Sequence, residues 1–227
     1  MALNNMIDEK IIRWSTIHAF LMIIGLVMAL LGYRFIFPFL ALISFVWYFF
    51  LMERTIRNLK PVYGPGNWVT LVRLTGLLFL LFYYTQIDTF LIGVIALLLI
   101  MLDAVDGYVA RKTNTVSEFG AWFDMETDAF YVALMGLILY QSGLIGLWIL
   151  IPGFLRYIYS LGVWMFNASE KQETSSKIGK YIAGFMFVSL PLPFIIPSDI
   201  ATPILILASL AIVFSFARST YLLIFKS

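Results

Sequence analysis

Residues 103–128 read DAVDGYVARKTNTVSEFGAWFDMETD, and the spacing of the acids in this stretch decides how the chain is built. The chain holds 13 acids, and Asp103, Asp106, Glu118, Asp124, Glu126 and Asp128 all fall here. On a helix, residues three or four apart share a face. Asp103, Asp106, Gly107 and Ala110 therefore form one stripe, and Gly120, Asp124 and Asp128 form a second. Residues 112–117, Lys-Thr-Asn-Thr-Val-Ser, supply a turn between them, with Ser117 as N-cap ahead of Glu118. Two antiparallel helices then bring four carboxylates together. Gly107, Ala110 and Gly120 keep the same faces thin, so a ligand or a facing backbone can approach. Glu126 is two residues from both Asp124 and Asp128 and points away from them.

The surroundings of this stretch are apolar. The 227 residues are 62% hydrophobic and only 12% charged, against about half apolar in soluble domains. A spanning helix needs roughly 20 mostly apolar residues. The chain offers eight such segments, at 15–33, 35–52, 67–85, 88–110, 118–141, 144–166, 178–196 and 200–225. The expected fold is an all-α integral membrane protein of eight transmembrane helices. A two-helix N-terminal hairpin, 1–60, precedes a six-helix membrane domain, 61–227. The start of the chain is mixed polar, without the pattern of a cleavable signal peptide.

Lys10, Arg13, Arg54, Arg57, Lys60, Arg111, Lys112, Lys171, Lys177, Lys180 and Lys226 all fall on one side of this arrangement, against Arg34 on the other. By the positive-inside rule both termini and the acidic stretch face the cytoplasm. The chain has no cysteine and a single histidine, His18, so disulfides and nitrogen–sulfur metal sites are excluded. A net charge of +2 gives no support to nucleic-acid binding.

Acids beside or within a membrane span cost a few kcal/mol on insertion scales and by default mark a functional site. Four clustered carboxylates repel unless cations neutralise them. Ligands that are all oxygen suit hard cations such as Mg²⁺, Mn²⁺ or Ca²⁺, and two divalent ions balance four negative charges. Such ions bind substrate phosphates. The residues thus point to metal-dependent handling of a phosphate ester at the membrane surface.

The pattern D-x2-D-G-x2-A-R-x8-G-x3-D-x3-D resembles the signature of the CDP-alcohol phosphotransferases. It is met at Asp103, Asp106, Gly107, Ala110, Arg111, Gly120, Asp124 and Asp128. Asn67, Thr70 and Arg73 match a second element of that family, N-x2-T-x2-R. The six spans from residue 67 onward match its six-helix core. The resemblance implies a reaction between a CDP-linked alcohol, usually CDP-diacylglycerol in lipid-making members, and an acceptor alcohol, with release of CMP in phospholipid biosynthesis. It implies that Asp103, Asp106 and Asp124 bind Mg²⁺ or Mn²⁺, as two ions. Asp128 either shares the metal or acts as the base that activates the acceptor hydroxyl. The CDP-alcohol would lie against Asn67, Thr70, Arg73, Gly107, Ala110, Arg111 and Gly120. Relatives are commonly homodimers.

Arg156 lies in the sixth span among apolar residues, where a charge is paired or functional. With Lys177 and Lys180 at the start of the seventh span it is a candidate for the acceptor or a lipid phosphate. Relatives that use glycerol phosphate or inositol phosphate commonly carry a basic residue after the last aspartate, where this chain has Ala129. His18 reads as structural, and the hairpin as accessory. Two other functions compete. A CDP-aminoalcohol with diacylglycerol as acceptor would use the same fold. A membrane transporter would also hold acids in spans, but along a pathway rather than at one membrane face.

Overall fold

The computed structural model describes residues 2–56, 64–113, 115–165 and 177–225, with side chains over 10–51, 64–103, 105, 107–113, 115–165 and 178–221. These residues form helices joined by short turns, with no strand among them. The helices are α1 (Ala2–Leu30), α2 (Ile36–Ile56), α3 (Pro65–Tyr83), α4 (Thr89–Lys112), α5 (Glu118–Gln141), α6 (Leu150–Met165), α7 (Lys177–Ser189), α8 (Leu192–Ile195) and α9 (Ser198–Phe225). Among the described residues, six stretches are long and apolar enough to cross a bilayer: Lys10–Leu30, Pro65–Tyr83, Thr89–Lys112, Leu147–Met165, Ile178–Ile195 and Ser198–Tyr221. The apolar part of α2, Ile36–Leu51, is shorter, and α5 carries Glu118, Asp124, Glu126 and Asp128. The chain is a multi-pass all-α membrane protein.

Local chemistry sets the helix ends. Pro65 opens α3 at a position where its missing N–H costs nothing. Asp88 caps α4 by accepting from the Phe90 amide at 2.9 Å. Arg111 and Lys112 sit in the last turn of α4, against the negative end of its dipole. Ser117 caps α5 as expected, its Oγ accepting from the Gly120 amide at 3.1 Å. Gly32 closes α1 at φ 97° and Gly143 follows α5 at φ 68°, conformations that a side chain would strain.

The seventh expected span is not one helix. Proline at 191 cannot continue the hydrogen-bond ladder, so α7 stops at Ser189 and α8 begins afresh at Leu192 with Pro193 in its first turn. The sixth begins with a 3₁₀ turn, Leu147–Ile149, ahead of α6.

The chain forms two compact units, residues 1–83 with 98–131, and residues 84–97 with 132–227. The first joins the hairpin α1–α2 to α3, the later part of α4 and the earlier part of α5. Its core is aromatic: Trp14, Phe37, Phe45, Tyr48, Phe119, Phe123 and Phe130 are fully buried or nearly so. In the second unit α9 packs against α6, α7 and α8. There α6 crosses the later part of α5 at Gly153, where a Cβ would lie 2.7 Å from the Ala133 Cα.

Candidate active site

The aspartate cluster and the cavity beside it both belong to the first unit. α3 presents Arg73, α4 presents Asp103, and α5 presents Asp124 and Asp128. The Arg73 guanidinium is the hub. Its Nη1 lies 2.5 Å from Asp103 Oδ1 and donates to Asp124 Oδ1 at 2.8 Å, and its Nη2 donates to Asp128 Oδ1 at 2.5 Å. A planar fork of N–H donors on a fixed charge suits this three-way contact, which a lysine could not reproduce.

One carboxylate oxygen each from Asp103, Asp124 and Asp128 lies within 4.8 Å of the others. Three hard oxygen donors converging this closely fit a divalent cation such as Mg²⁺ or Mn²⁺. The fourth expected ligand, Asp106, stands on α4 four residues before Ala110, but its side chain lies outside the described residues.

Beside the carboxylates is a cavity of about 300 Å³. Its wall includes Asn67 and Thr70 of α3, Gly107, Ala110 and Arg111 of α4, and Gly120 and Asp124 of α5. Six of the seven residues expected against a CDP-alcohol thus line one space, and the seventh, Arg73, sits on the aspartates instead. Gly66, Thr115, Val116, Ser117 and Ala121 complete the wall, and sequence reasoning did not single them out for binding. The signal lay in the connector between the two acidic stripes, which has to pass over whatever those stripes hold. Gly120 has a specific reason to be glycine. A Cβ there would fall 2.5 Å from Asn67 Oδ1, so any larger residue would push the Asn67 amide from its place on the cavity wall. At Gly107 a Cβ would meet only the far end of the Arg111 side chain, at 3.2 Å.

Glu126 points away from this cluster, as its spacing implied. It is buried, and its Oε1 accepts from the Ser15 hydroxyl at 2.9 Å. The acceptor candidates lie in the second unit. Arg156 is buried on α6 and Lys180 is exposed on α7. The Lys177 side chain lies outside the described residues.

Comparison with known proteins places this arrangement. A stretch of 39 residues is 56% identical to a CDP-diacylglycerol–inositol 3-phosphatidyltransferase of Arabidopsis thaliana, covering 17% of each chain. A longer stretch of 104 residues is 31% identical to a CDP-diacylglycerol–glycerol-3-phosphate 3-phosphatidyltransferase of Wigglesworthia glossinidia brevipalpis, covering 45% of this chain and 54% of the relative. A third, of 72 residues, is 38% identical to a CDP-diacylglycerol–serine O-phosphatidyltransferase of Methanocaldococcus jannaschii, covering 31% and 32%. The matches span about half the length of these relatives or less. No solved structure matches. The family described as CDP-alcohol phosphatidyltransferase matches residues 65–217, from the start of α3 into α9. With both acidic stripes, the Arg73 hub and the cavity wall inside that match, the chain belongs to the CDP-alcohol phosphatidyltransferase family.

Proposed function

We propose that the protein transfers a phosphatidyl group from CDP-diacylglycerol to an acceptor alcohol and releases CMP, as a step of phospholipid synthesis. The observation that carries this reading is the continuity of the 300 Å³ cavity with the aspartates through their shared wall residue, Asp124. The donor is supported by the three relatives, all of which are named for CDP-diacylglycerol while differing in acceptor.

In this reading Asn67, Thr70 and the bare faces at Gly107, Ala110 and Gly120 receive the cytidine nucleotide, and Arg111 faces its phosphates. Asp103, Asp106, Asp124 and Asp128 hold Mg²⁺ or Mn²⁺, as two ions, which neutralise phosphate charge when bound. Arg73 spaces the carboxylates and fixes their rotamers. Asp128 accepts the proton of the acceptor hydroxyl as its oxygen bonds to the phosphorus bearing the lipid. The bond from that phosphorus to the CMP oxygen breaks, and CMP leaves with the electron pair. Arg156, Lys177 and Lys180 are assigned to acceptor or lipid phosphate. Ala129 after the last aspartate favours an acceptor that is not a phosphorylated polyol. The distribution of lysine and arginine supports cytoplasmic termini and a cytoplasmic site.

The test is CMP release by the purified full-length protein with CDP-diacylglycerol, Mg²⁺ or Mn²⁺ and a panel of alcohols. Alcohol-dependent CMP release supports the proposal. Release only from a CDP-aminoalcohol with diacylglycerol moves the assignment to that reaction, and no release from any CDP donor refutes it.

A further inference from the structure

α5 has two working faces. One carries Gly120, Asp124 and Asp128 toward α3 and α4. The other carries Phe119, Phe123, Glu126 and Phe130, spaced by four, three and four residues along one stripe. That second stripe docks on the N-terminal hairpin. Phe45 of α2 lies edge-on to Phe123 and Phe130, with ring centroids 6.1 and 6.0 Å away, and Tyr48 stacks on Phe119 at 4.8 Å. The Tyr48 hydroxyl also donates to the Phe119 carbonyl at 3.1 Å.

Glu126 is the one acid in this aromatic stripe, and it is 1% exposed. Burying a carboxyl is costly unless it is hydrogen-bonded. Two side chains of α1 stand against it, and one bonds to it. The Ser15 hydroxyl donates to Oε1 at 2.9 Å, whereas His18 Nε2, 4.0 Å from Oε2, is too far to hydrogen-bond. The histidine is itself set in place. Its Nδ1 is 2.8 Å from Ser44 Oγ, and its ring stacks on Trp14 at 5.0 Å between centroids. The Trp14 indole N–H in turn donates to the Ser44 carbonyl at 3.0 Å.

Aromatic contacts alone would dock the helix but tolerate rotation about its axis. A directional polar contact does not, and the best-attested use of a buried polar group is to fix register. At 100° per residue, Glu126 stands about 200° around the helix from both Asp124 and Asp128. Holding Glu126 therefore fixes the azimuth of both aspartates. With a carboxylate about 5–6 Å from the helix axis, a rotation of about 20° would move it by about 2 Å. Misplacement of about 1 Å is enough to cost roughly 10²-fold in rate.

We infer that the hairpin is part of the catalytic unit: Ser15 holds the back of α5 through Glu126, a positioning residue, with His18 packed beside it, so that Asp124 and Asp128 face Arg73 and Asp103. This rests on the reaction proposed above. It gives a positioning role to the hairpin that the sequence reads as accessory.

The experiment compares full-length wild type with Glu126→Ala, Glu126→Gln, Ser15→Ala, the Ser15→Ala/Glu126→Ala double variant and a packing control, Leu26→Ala, in the hairpin core. Each is measured for kcat and KM in CMP release, for Mn²⁺ affinity by EPR titration and for thermal stability. Glu126→Ala is expected to lower kcat by about 10–100-fold and to weaken Mn²⁺ binding, with little change in donor KM. Glu126→Gln keeps an oxygen for Ser15 and recovers most of the loss, and the double variant is no worse than Glu126→Ala. Leu26→Ala loses stability but keeps wild-type turnover and Mn²⁺ affinity. Glu126→Ala with wild-type kcat and Mn²⁺ affinity overturns the inference, and so does a parallel loss in Leu26→Ala. Should Glu126→Ala not fold, Ser15→Ala and Glu126→Gln decide, and wild-type values in Ser15→Ala overturn it. A wild type that releases no CMP refutes the reaction, while the Mn²⁺ titrations still show whether Glu126 sets the aspartates.

Discussion

Removing the Arg73 charge tests the centre of the site. Arg73→Met keeps most of the side-chain volume and deletes the guanidinium that joins Asp103, Asp124 and Asp128. Breaking a buried ion pair by removing one partner costs about 3–5 kcal/mol. The guanidinium side is 4% exposed, but the three carboxylates are 28%, 39% and 25% exposed, so water recovers part of the loss and the low end applies. A loss of about 3 kcal/mol corresponds to roughly 6–12 °C in unfolding midpoint for a chain of this size. Divalent metal should reverse it, because a ligand at 100 times its Kd contributes about 2.7 kcal/mol. In the variant no guanidinium competes for the same oxygens, so the metal-induced rise should exceed that of the wild type. The assay is thermal unfolding followed by tryptophan fluorescence, in chelator and across a Mn²⁺ titration. A variant as stable as wild type in chelator would show that the three contacts contribute nothing. An unfolding midpoint that stays low and unmoved by Mn²⁺ would show that these carboxylates do not hold a cation.

Gly120→Ala should raise the KM for the CDP-alcohol, since its Cβ would fall 2.5 Å from Asn67 Oδ1 at the cavity wall. Its stability should fall by no more than about 2 kcal/mol, because overpacking of about 1–3 kcal/mol is partly offset by roughly 1 kcal/mol of helix propensity; an unchanged KM in steady-state CMP release would refute the KM prediction. Asp128→Asn should lower kcat by about 10²–10⁴-fold while nucleotide binding, followed by CMP competition, is largely kept. Gly153→Ala should destabilise the second unit, because its Cβ would lie 2.7 Å from the Ala133 backbone and neither helix can give way cheaply; a melting temperature equal to wild type would contradict it. Chelation of divalent metal should abolish CMP release, and re-addition of Mg²⁺ or Mn²⁺ should restore it.

What could be read in the residues is what acts locally. The apolar runs located most of the helices to within a few residues, though α1 begins at Ala2 rather than 15 and α6 at Leu150 rather than 144. Ser117 was legible as a cap because a cap is made by neighbours in sequence. The two acidic stripes were legible because helical periodicity converts spacing into a shared face. Partnerships across the fold were not. Arg73 was legible only as one of the residues a CDP-alcohol would lie against; two of its carboxylate partners stand 51 and 55 residues away on α5, and no local pattern shows them. Ser15 and Glu126 are separated by 111 residues. The phenylalanines at 119, 123 and 130 recur at helical spacing, yet spacing alone does not say that the hairpin covers them. The break before α8 is a proline effect that a count of apolar residues passes over.

The shielding of α5 bears on how the protein is made. From Trp122 to Tyr131 its residues are buried or half-buried, and that stretch contains Asp124, Glu126 and Asp128. An acid opposes insertion by up to about 2.5–3.5 kcal/mol, the figure for the centre of a span, when the helix meets lipid alone. Threaded singly from the ribosome, α5 would be a poor candidate for lateral release into the bilayer. By the time it emerges, α1 to α4 have already been synthesised, and they carry Ser15, His18 and Arg73. Those three residues offer its acids somewhere to go other than hydrocarbon, so α5 would enter the membrane with its predecessors as a group, late and together.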